Sequence, residues 1–493
     1  MFQYENQEFL TAEFPVLPSI SHFLGAFEST HNNYLEDPFP VSQYHDQIYN
    51  HYPTPASLYT FRNTDFHSSK TTKKRRDRGS SFSSSTKVVN VDDFGAKGNG
   101  QDDTKAFELA WKEACSSRKA TLLVPKGRTY YLKPITFSGP CRSPLTLKIN
   151  GMIKASTRIS DYENDRRHWL KFEGVDNFVV EGNGIINGNG RKWWQNSCKV
   201  NKELPCKRAP TAVTFYQCIN LVVSNLMFKD AQQMHLTFQK CTNVKALNLR
   251  VVAPGNSPNT DGIHITETQN AIIRNCVIGT GDDCISIVSG SRNVRAMDIT
   301  CGPGHGISIG SLGAENSEAE VSNIRVNRAL ISGTSNGVRI KTWQLNSQYL
   351  TEKSWPHFQT AVDPLNFNPT IPTPPPANLH DLHGGSGYAK NIMFQNVVMK
   401  NVSNPIIIDQ NYCDKEDSCP EQNSAVKVSN VVYKNIRGTS ASDDAIKFDC
   451  SKSFPCQEIS LLGVHIVGQG NEVATASCEN VRLKNRWKVY PQC

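Results

Sequence analysis

Short runs of Val, Ile and Leu recur through the middle of the chain, separated by Gly, Asn or Asp. An asparagine precedes them again and again: Asn177-Phe178-Val179, Asn220-Leu221-Val222, Asn243-Val244, Asn270-Ala271-Ile272, Asn293-Val294, Asn323-Ile324, Asn391-Ile392 and Asn430-Val431. From Asn220 to Asn323 the steps are 23, 27, 23 and 30 residues. One register within these steps reads Ile263-His264-Ile265, Ile285-Ser286-Ile287, Ile307-Ser308-Ile309 and Val338-Arg339-Ile340. A period of this size marks a repeat fold, whose units bury their apolar faces only against neighbours. Strands this short, with turns and almost no helix between them, predict an all-β, right-handed parallel β-helix, a solenoid. Its asparagines would stack at one corner, their side-chain amides bonding along the ladder. A leucine-rich repeat needs regularly placed leucines, which are missing, and a β-propeller needs longer strands and aromatic repeats.

The folded part is expected to span 87–493. Val88, Val89 and Val91 read as a short strand, and Asp92 to Gly100 as a glycine-rich turn. Thr104–Cys115 reads as a helix with Ala106, Phe107, Ala110, Trp111 and Ala114 on one face, suited to capping the open end of a solenoid. The turn's glycines fit neither the Walker nor the dinucleotide spacing, so no phosphate loop is expected. Residues 1–86 are polar, rich in His, Asn and Tyr, and end in a basic run, Lys73–Arg78, and a serine-rich patch. They are expected to be disordered. The basic run is read as a solvated linker before a nuclear address or an anionic-surface patch. No recognisable signal peptide opens the sequence: Phe14 to Phe27 is broken by prolines and a histidine and lacks a basic start.

Charge narrows the choice of partner. The net charge is +8; residues 1–86 carry seven Lys/Arg against nine Asp/Glu, so the remaining chain carries +10. A basic folded body favours a polyanion: nucleic acid, an acidic polysaccharide or an anionic surface. Aromatic and basic residues do not interleave beyond the short basic run, which disfavours nucleic acid. No run of about 18 apolar residues exists to span a membrane. Fifteen cysteines, many in close pairs (Cys198/Cys206, Cys284/Cys301, Cys413/Cys419, Cys450/Cys456, Cys478/Cys493), suit disulfides in an oxidising compartment. No CxxC pair supports a zinc ribbon. Cys218, Cys241 and Cys276 lie in apolar stretches and are expected to be buried free thiols. An atypical N-terminus would reconcile these cysteines with the missing signal.

The repeat brings chemistry together. Residues one coil apart become neighbours about 4.8 Å apart. Asp261 lies 21 residues before Asp282, His305 lies 22 after Asp283, and Arg339 and Lys341 follow one longer coil on. These positions are expected to share one groove, with three carboxylates, an imidazole and two cations. Crowded carboxylates raise at least one pKa, as a general acid requires. An isolated Asp-Asp pair reads as a turn or a calcium site; the full constellation reads as a glycoside-cleaving site, with no metal or cofactor.

Four motifs, Asn259-Thr260-Asp261-Gly262, Gly281-Asp282-Asp283-Cys284, Gly304-His305-Gly306 and Arg339-Ile340-Lys341, resemble in order and spacing those of the polygalacturonases, glycoside hydrolase family 28, in plant-type form. The resemblance covers about 87–344 and 384–493. It implies a secreted, cell-wall, monomeric enzyme that hydrolyses α-1,4-galacturonan with inversion. It further implies Asp282 as general acid, Asp261 and Asp283 as the pair holding the water, and His305 tuning the acid. Arg339 and Lys341 would bind substrate carboxylates, and Tyr412 resembles the family's subsite tyrosine, a position that a packing residue could equally fill. The other readings are a catalytically weak pectin-binding protein and a rhamnogalacturonan or xylogalacturonan hydrolase. Three aspartates disfavour the first, and the two cations favour plain galacturonan. Lyase chemistry would want a basic proton abstractor instead of this trio. Residues 345–383 depart from the family pattern: they carry Pro372, Pro374, Pro375 and Pro376 and no repeat signal. They are read either as a retained intron translated in frame or as a rim loop over the cleft.

Overall fold

The computed structural model describes residues 86–314, 317–343, 385–412 and 426–493. The 1–86 extension, apart from Thr86, the 345–383 insertion and the Cys413/Cys419 pair lie outside the described residues. Every strand pairing is parallel, between strands of successive coils. This is a parallel β-helix. Among the described residues, one face is an 11-stranded sheet running from Ile135–Ser138 to Thr475–Glu479. The other strands make two faces that merge from Gln269–Gly279 onward, where single strands pass through the corner between them.

That corner is the asparagine ladder. Asn177, Asn220, Asn243, Asn270, Asn293, Asn323, Asn391 and Asn430 each take the left-handed backbone conformation, with φ between +51° and +60°. Asparagine tolerates this bend better than other residues with a Cβ. From Asn220 onward each side-chain Nδ2 donates to the Oδ1 of the asparagine one coil earlier, at 2.9–3.1 Å. The sequence reading missed a second ladder, Asn225–Asn248–Asn275. It resumes as Asn327–Asn396–Asn435 after Asp298 and Arg328 replace the amide pair with an ion pair. The first ladder continues unbroken from Asn323 to Asn391, 68 residues apart. The flanking strands keep register there too, with Glu318 opposite Ser386. The added length between Trp343 and Ser386 therefore leaves the stack intact.

Inside the coils, like side chains stack. Phe137, Phe172, Phe215 and Phe238 form a column of near-parallel rings 5.0–5.7 Å apart, continued by Ile265, Ile287, Ile309, Ile340 and Ile408. The capping helix spans Thr104–Ser116 and buries the five residues expected of it. Trp111 packs on Phe137, Phe172 and Phe178 and so closes the N-terminal end of the column. The strand expected to reach Val91 stops at Asn90, whose side chain caps a 3-10 turn over Val91–Phe94. A second short helix, Arg191–Gln195, was not anticipated.

Four expected disulfides form: Cys198–Cys206, Cys284–Cys301, Cys450–Cys456 and Cys478–Cys493. Cys218, Cys241 and Cys276 are buried and free. Cys115 also pairs with Cys141, ending the capping helix against the next coil; their separation of 26 residues hid the pair from a reading based on close spacing. The five disulfides among the described residues point to a secretory, oxidising location. No helix among the described residues is long and apolar enough to cross a membrane.

Candidate active site

Asp261, Asp283 and His305 each precede by two residues the isoleucines of three successive strands, Ile263, Ile285 and Ile307, which pair in register. The three residues therefore stand at one position on successive coils, with Asp282 beside them. Close backbone approach is needed here. A Cβ on Gly281 would sit 1.9 Å from the Ser257 carbonyl oxygen. Gly306 holds φ +82°, and a Cβ there would sit 2.1 Å from the Asn336 carbonyl. The Cys284–Cys301 bridge fixes the chain directly after Asp283.

The middle residues of the strands make the groove floor: His264, Ser286, Ser308 and Arg339 pair in sequence. Apolar neighbours on either side point into the core, so these alternate residues point out. Asp283 is 1 % exposed and heavily bonded. Its Oδ1 accepts from Ser308 Oγ at 2.6 Å and Arg339 Nη2 at 2.8 Å, and its Oδ2 from Lys341 Nζ at 3.1 Å. Arg339 Nε also donates to Ser308 Oγ at 3.1 Å. Lys341 lies 5.1 Å from the Tyr412 ring centre, and Trp343 meets that ring edge-on at 4.9 Å. All seven residues singled out in the sequence thus gather on one face.

The trio's ionisation differs from expectation. Asp261 is the raised carboxyl: burial, then the charges of Asp282 and Asp283, push it well above the usual range against a hydrogen bond from Ser286. Burial also pushes Asp282 up. It is outweighed by the hydrogen bond from His305 Nδ1, 3.0 Å from Oδ1, and by the His305 and Lys341 charges, which hold Asp282 at about 2. The expected general acid is therefore not the carboxyl raised in the free groove. His305 Nδ1 stands against Asp282, whereas Asp261 accepts from the Ser286 hydroxyl.

The sequence reading passed over His264, Ser286 and Ser308. His264 Nδ1 lies 2.7 Å from Ser286 Oγ, which donates to Asp261 Oδ2 at 2.8 Å. Burial lowers His264 to about 4, so its imidazole is neutral near neutral pH. The signal was present: these are the middle residues of the repeated triplets, and alternation alone sends them outward.

The family model for glycosyl hydrolases family 28 matches residues 115–355 and 379–488, so 356–378 lie outside it. The polygalacturonase QRT2 of Arabidopsis thaliana is 55% identical over 413 residues, 83% of this chain and 85% of that protein. A polygalacturonase of Persea americana is 56% identical over 394 residues, 80% of this chain and 77% of its own. Among solved structures, the endo-xylogalacturonan hydrolase of Aspergillus tubingensis shares the fold, with a TM-score of 0.63 and 22% identity over 81% of this chain and 99% of its own. A parallel β-helix with these motifs, matched over most of its length, belongs to glycosyl hydrolases family 28.

Proposed function

We propose that this protein hydrolyses α-1,4-galacturonosyl linkages of pectin by an inverting acid/base mechanism, as a secreted, monomeric enzyme of the plant cell wall. The observation that carries the reading is the cationic floor beside the aspartate trio: Arg339 and Lys341, paired with Asp283, stand where galacturonate carboxylates would meet them. The names of the relatives support the same substrate.

Asp282 protonates the leaving glycosidic oxygen. Asp261 and Asp283 hold and activate the water that attacks the anomeric carbon from the opposite side. Galacturonate carboxylates and exclusion of water both favour the neutral form of Asp282, so the glycan itself helps protonate the acid that His305 keeps ionised in the free groove. His305 orients Asp282 by its hydrogen bond. Tyr412, packed by Trp343 and beside Lys341, offers a ring edge and hydroxyl to the bound sugar.

The purified protein is expected to release reducing ends from polygalacturonate, and Asp282→Asn to abolish that release. A variant rate near wild type removes Asp282 as the acid. An inactive wild type, both with residues 345–383 and with them deleted, removes the hydrolase reading.

A further inference from the structure

Asp261 and Asp283 occupy equivalent positions on successive coils. Each accepts a hydroxyl proton from the serine 25 residues on: Ser286 for Asp261 and Ser308 for Asp283. The serines differ in what stands behind them. Arg339 Nε lies 3.1 Å from Ser308 Oγ, and a guanidinium can only donate. His264 Nδ1 lies 2.7 Å from Ser286 Oγ, and a neutral imidazole nitrogen can donate or accept.

This difference decides which carboxyl can change its protonation state without leaving a donor facing a donor. Ser308 receives from Arg339 and has one proton to give, so it gives it to Asp283. The same carboxylate also accepts from Arg339 Nη2 and Lys341 Nζ. A proton on Asp283 would remove the negative charge that Arg339 and Lys341 pair with, and would compete with these donors for its oxygens. Ser286 has two consistent polarities. With Asp261 ionised, His264 Nδ1–H donates to Ser286 and Ser286 donates to Asp261. With Asp261 protonated, its O–H donates to Ser286, and Ser286 donates to a bare Nδ1 while the imidazole carries its proton on Nε2. His264 keeps partial exposure to the groove, where this tautomer can exchange.

We propose that His264 is a positioning residue for proton transfer to Asp261, acting through Ser286, so that Asp261 and not Asp283 takes the proton of the attacking water. The inference rests on the hydrolase reading above. In the step, the water oxygen bonds to the anomeric carbon and the glycosidic C–O bond breaks. The Asp282 proton goes to the leaving oxygen, and the water's proton goes to Asp261. Asp283 stays ionised between its two cations. The site is left with Asp261 protonated and Asp282 ionised; Asp261 gives its proton to solvent, and Asp282 regains one when the next glycan binds. The charged groups around the relay are Asp282, Asp283 and Lys341 facing Asp261, and Asp283 and Lys341 facing His264. His235 adds a backbone contact, its Nδ1 3.0 Å from the Asp261 carbonyl oxygen.

The test compares His264→Leu, His264→Asn, Ser286→Ala and the His264→Leu/Ser286→Ala double variant on polygalacturonate across pH. Leucine withdraws the donor that supports ionised Asp261 through Ser286, so the acidic limb of kcat should move up by about one pH unit, the size of one net hydrogen bond. KM should stay within about twofold, since no substrate-binding cation is touched. Asparagine, whose amide can turn to donate or accept, should restore the limb. Adding His264→Leu to Ser286→Ala should move it no further, as expected of residues acting in series. An unmoved limb in folded His264→Leu, or additive shifts in the double variant, overturns the proposal. If His264→Leu does not fold, Ser286→Ala and His264→Asn still decide: an unmoved limb in the first or a fully displaced limb in the second overturns it. Inactive wild type would strike the hydrolase reading instead.

Discussion

Arg339 reaches across 56 residues of sequence to place Nη2 2.8 Å from Asp283 Oδ1, with both side chains almost wholly out of water. Their closeness follows from the stack: Arg339 stands one coil beyond Ser308, which itself touches Asp283. A buried carboxylate is tolerated only when paired and hydrogen-bonded, and here two cations and a hydroxyl meet that need.

Arg339→Ala should destabilise the fold as well as weaken substrate binding. Breaking one arm of a buried ion pair costs about 3 kcal/mol, at the low end of the usual range because Lys341 still holds the other oxygen. Urea unfolding checks the stability, and KM against kcat the binding. A variant as stable as wild type would show that Asp283 does not depend on the pair.

His305→Gln should change the acid sensitivity of the protein. The folded-state value of Asp282, about 2, lies below its ordinary 3.8, so ionised Asp282 contributes stability above about pH 4 that is lost as pH falls through 2. Without His305 burial acts unopposed by that partner and Asp282 rises. The stability gap between wild type and variant should open as pH rises from about 2 through 4. A gap that is constant across the window excludes the pairing as its source.

Asp409 works in the opposite sense. Burial, then the charge of Asp449, raises it to about 6 from 3.8. The folded state holds this proton more tightly, so stability falls as pH rises from about 4 to 6. Asp409→Asn keeps the acceptor for the Asn411 N–H and removes the charge. It should stabilise at pH 7 by on the order of 2 kcal/mol and be neutral below pH 4. Melting curves at the two pH values check this; equal effects at both would count against it.

Asn270 separates backbone from side-chain contributions to the ladder. It holds φ +60°, donates to Asn243 and accepts from Asn293. Asn270→Ala should cost about 2 kcal/mol, combining lost hydrogen bonds with a left-handed alanine. Asn270→Gly should cost about 1 kcal/mol less, since glycine adopts this φ freely. Chemical denaturation of the two variants decides, and equal losses would mean that the bend contributes nothing.

The architecture was readable from the chain, because a repeat fold writes its period into the order of its residues. Asparagine is the residue with a Cβ most at ease in the left-handed bend, so its recurrence located the corner. The spacing of Asp261, Asp283 and His305 then follows from one coil per period. The capping helix was legible for the same reason: its apolar face has a period and a partner. Tertiary structure alone decided what depends on exact register and on burial. Cys115 finds Cys141 only because the cap folds onto the next coil. Asp261, not Asp282, is the raised carboxyl because His305 stands against Asp282 while Asp261 has only a hydroxyl. The different backing of Ser286 and Ser308, imidazole for one and guanidinium for the other, needs distances that no spacing rule supplies. The triplets showed which residues face the groove; only the folded coils showed which of them touch.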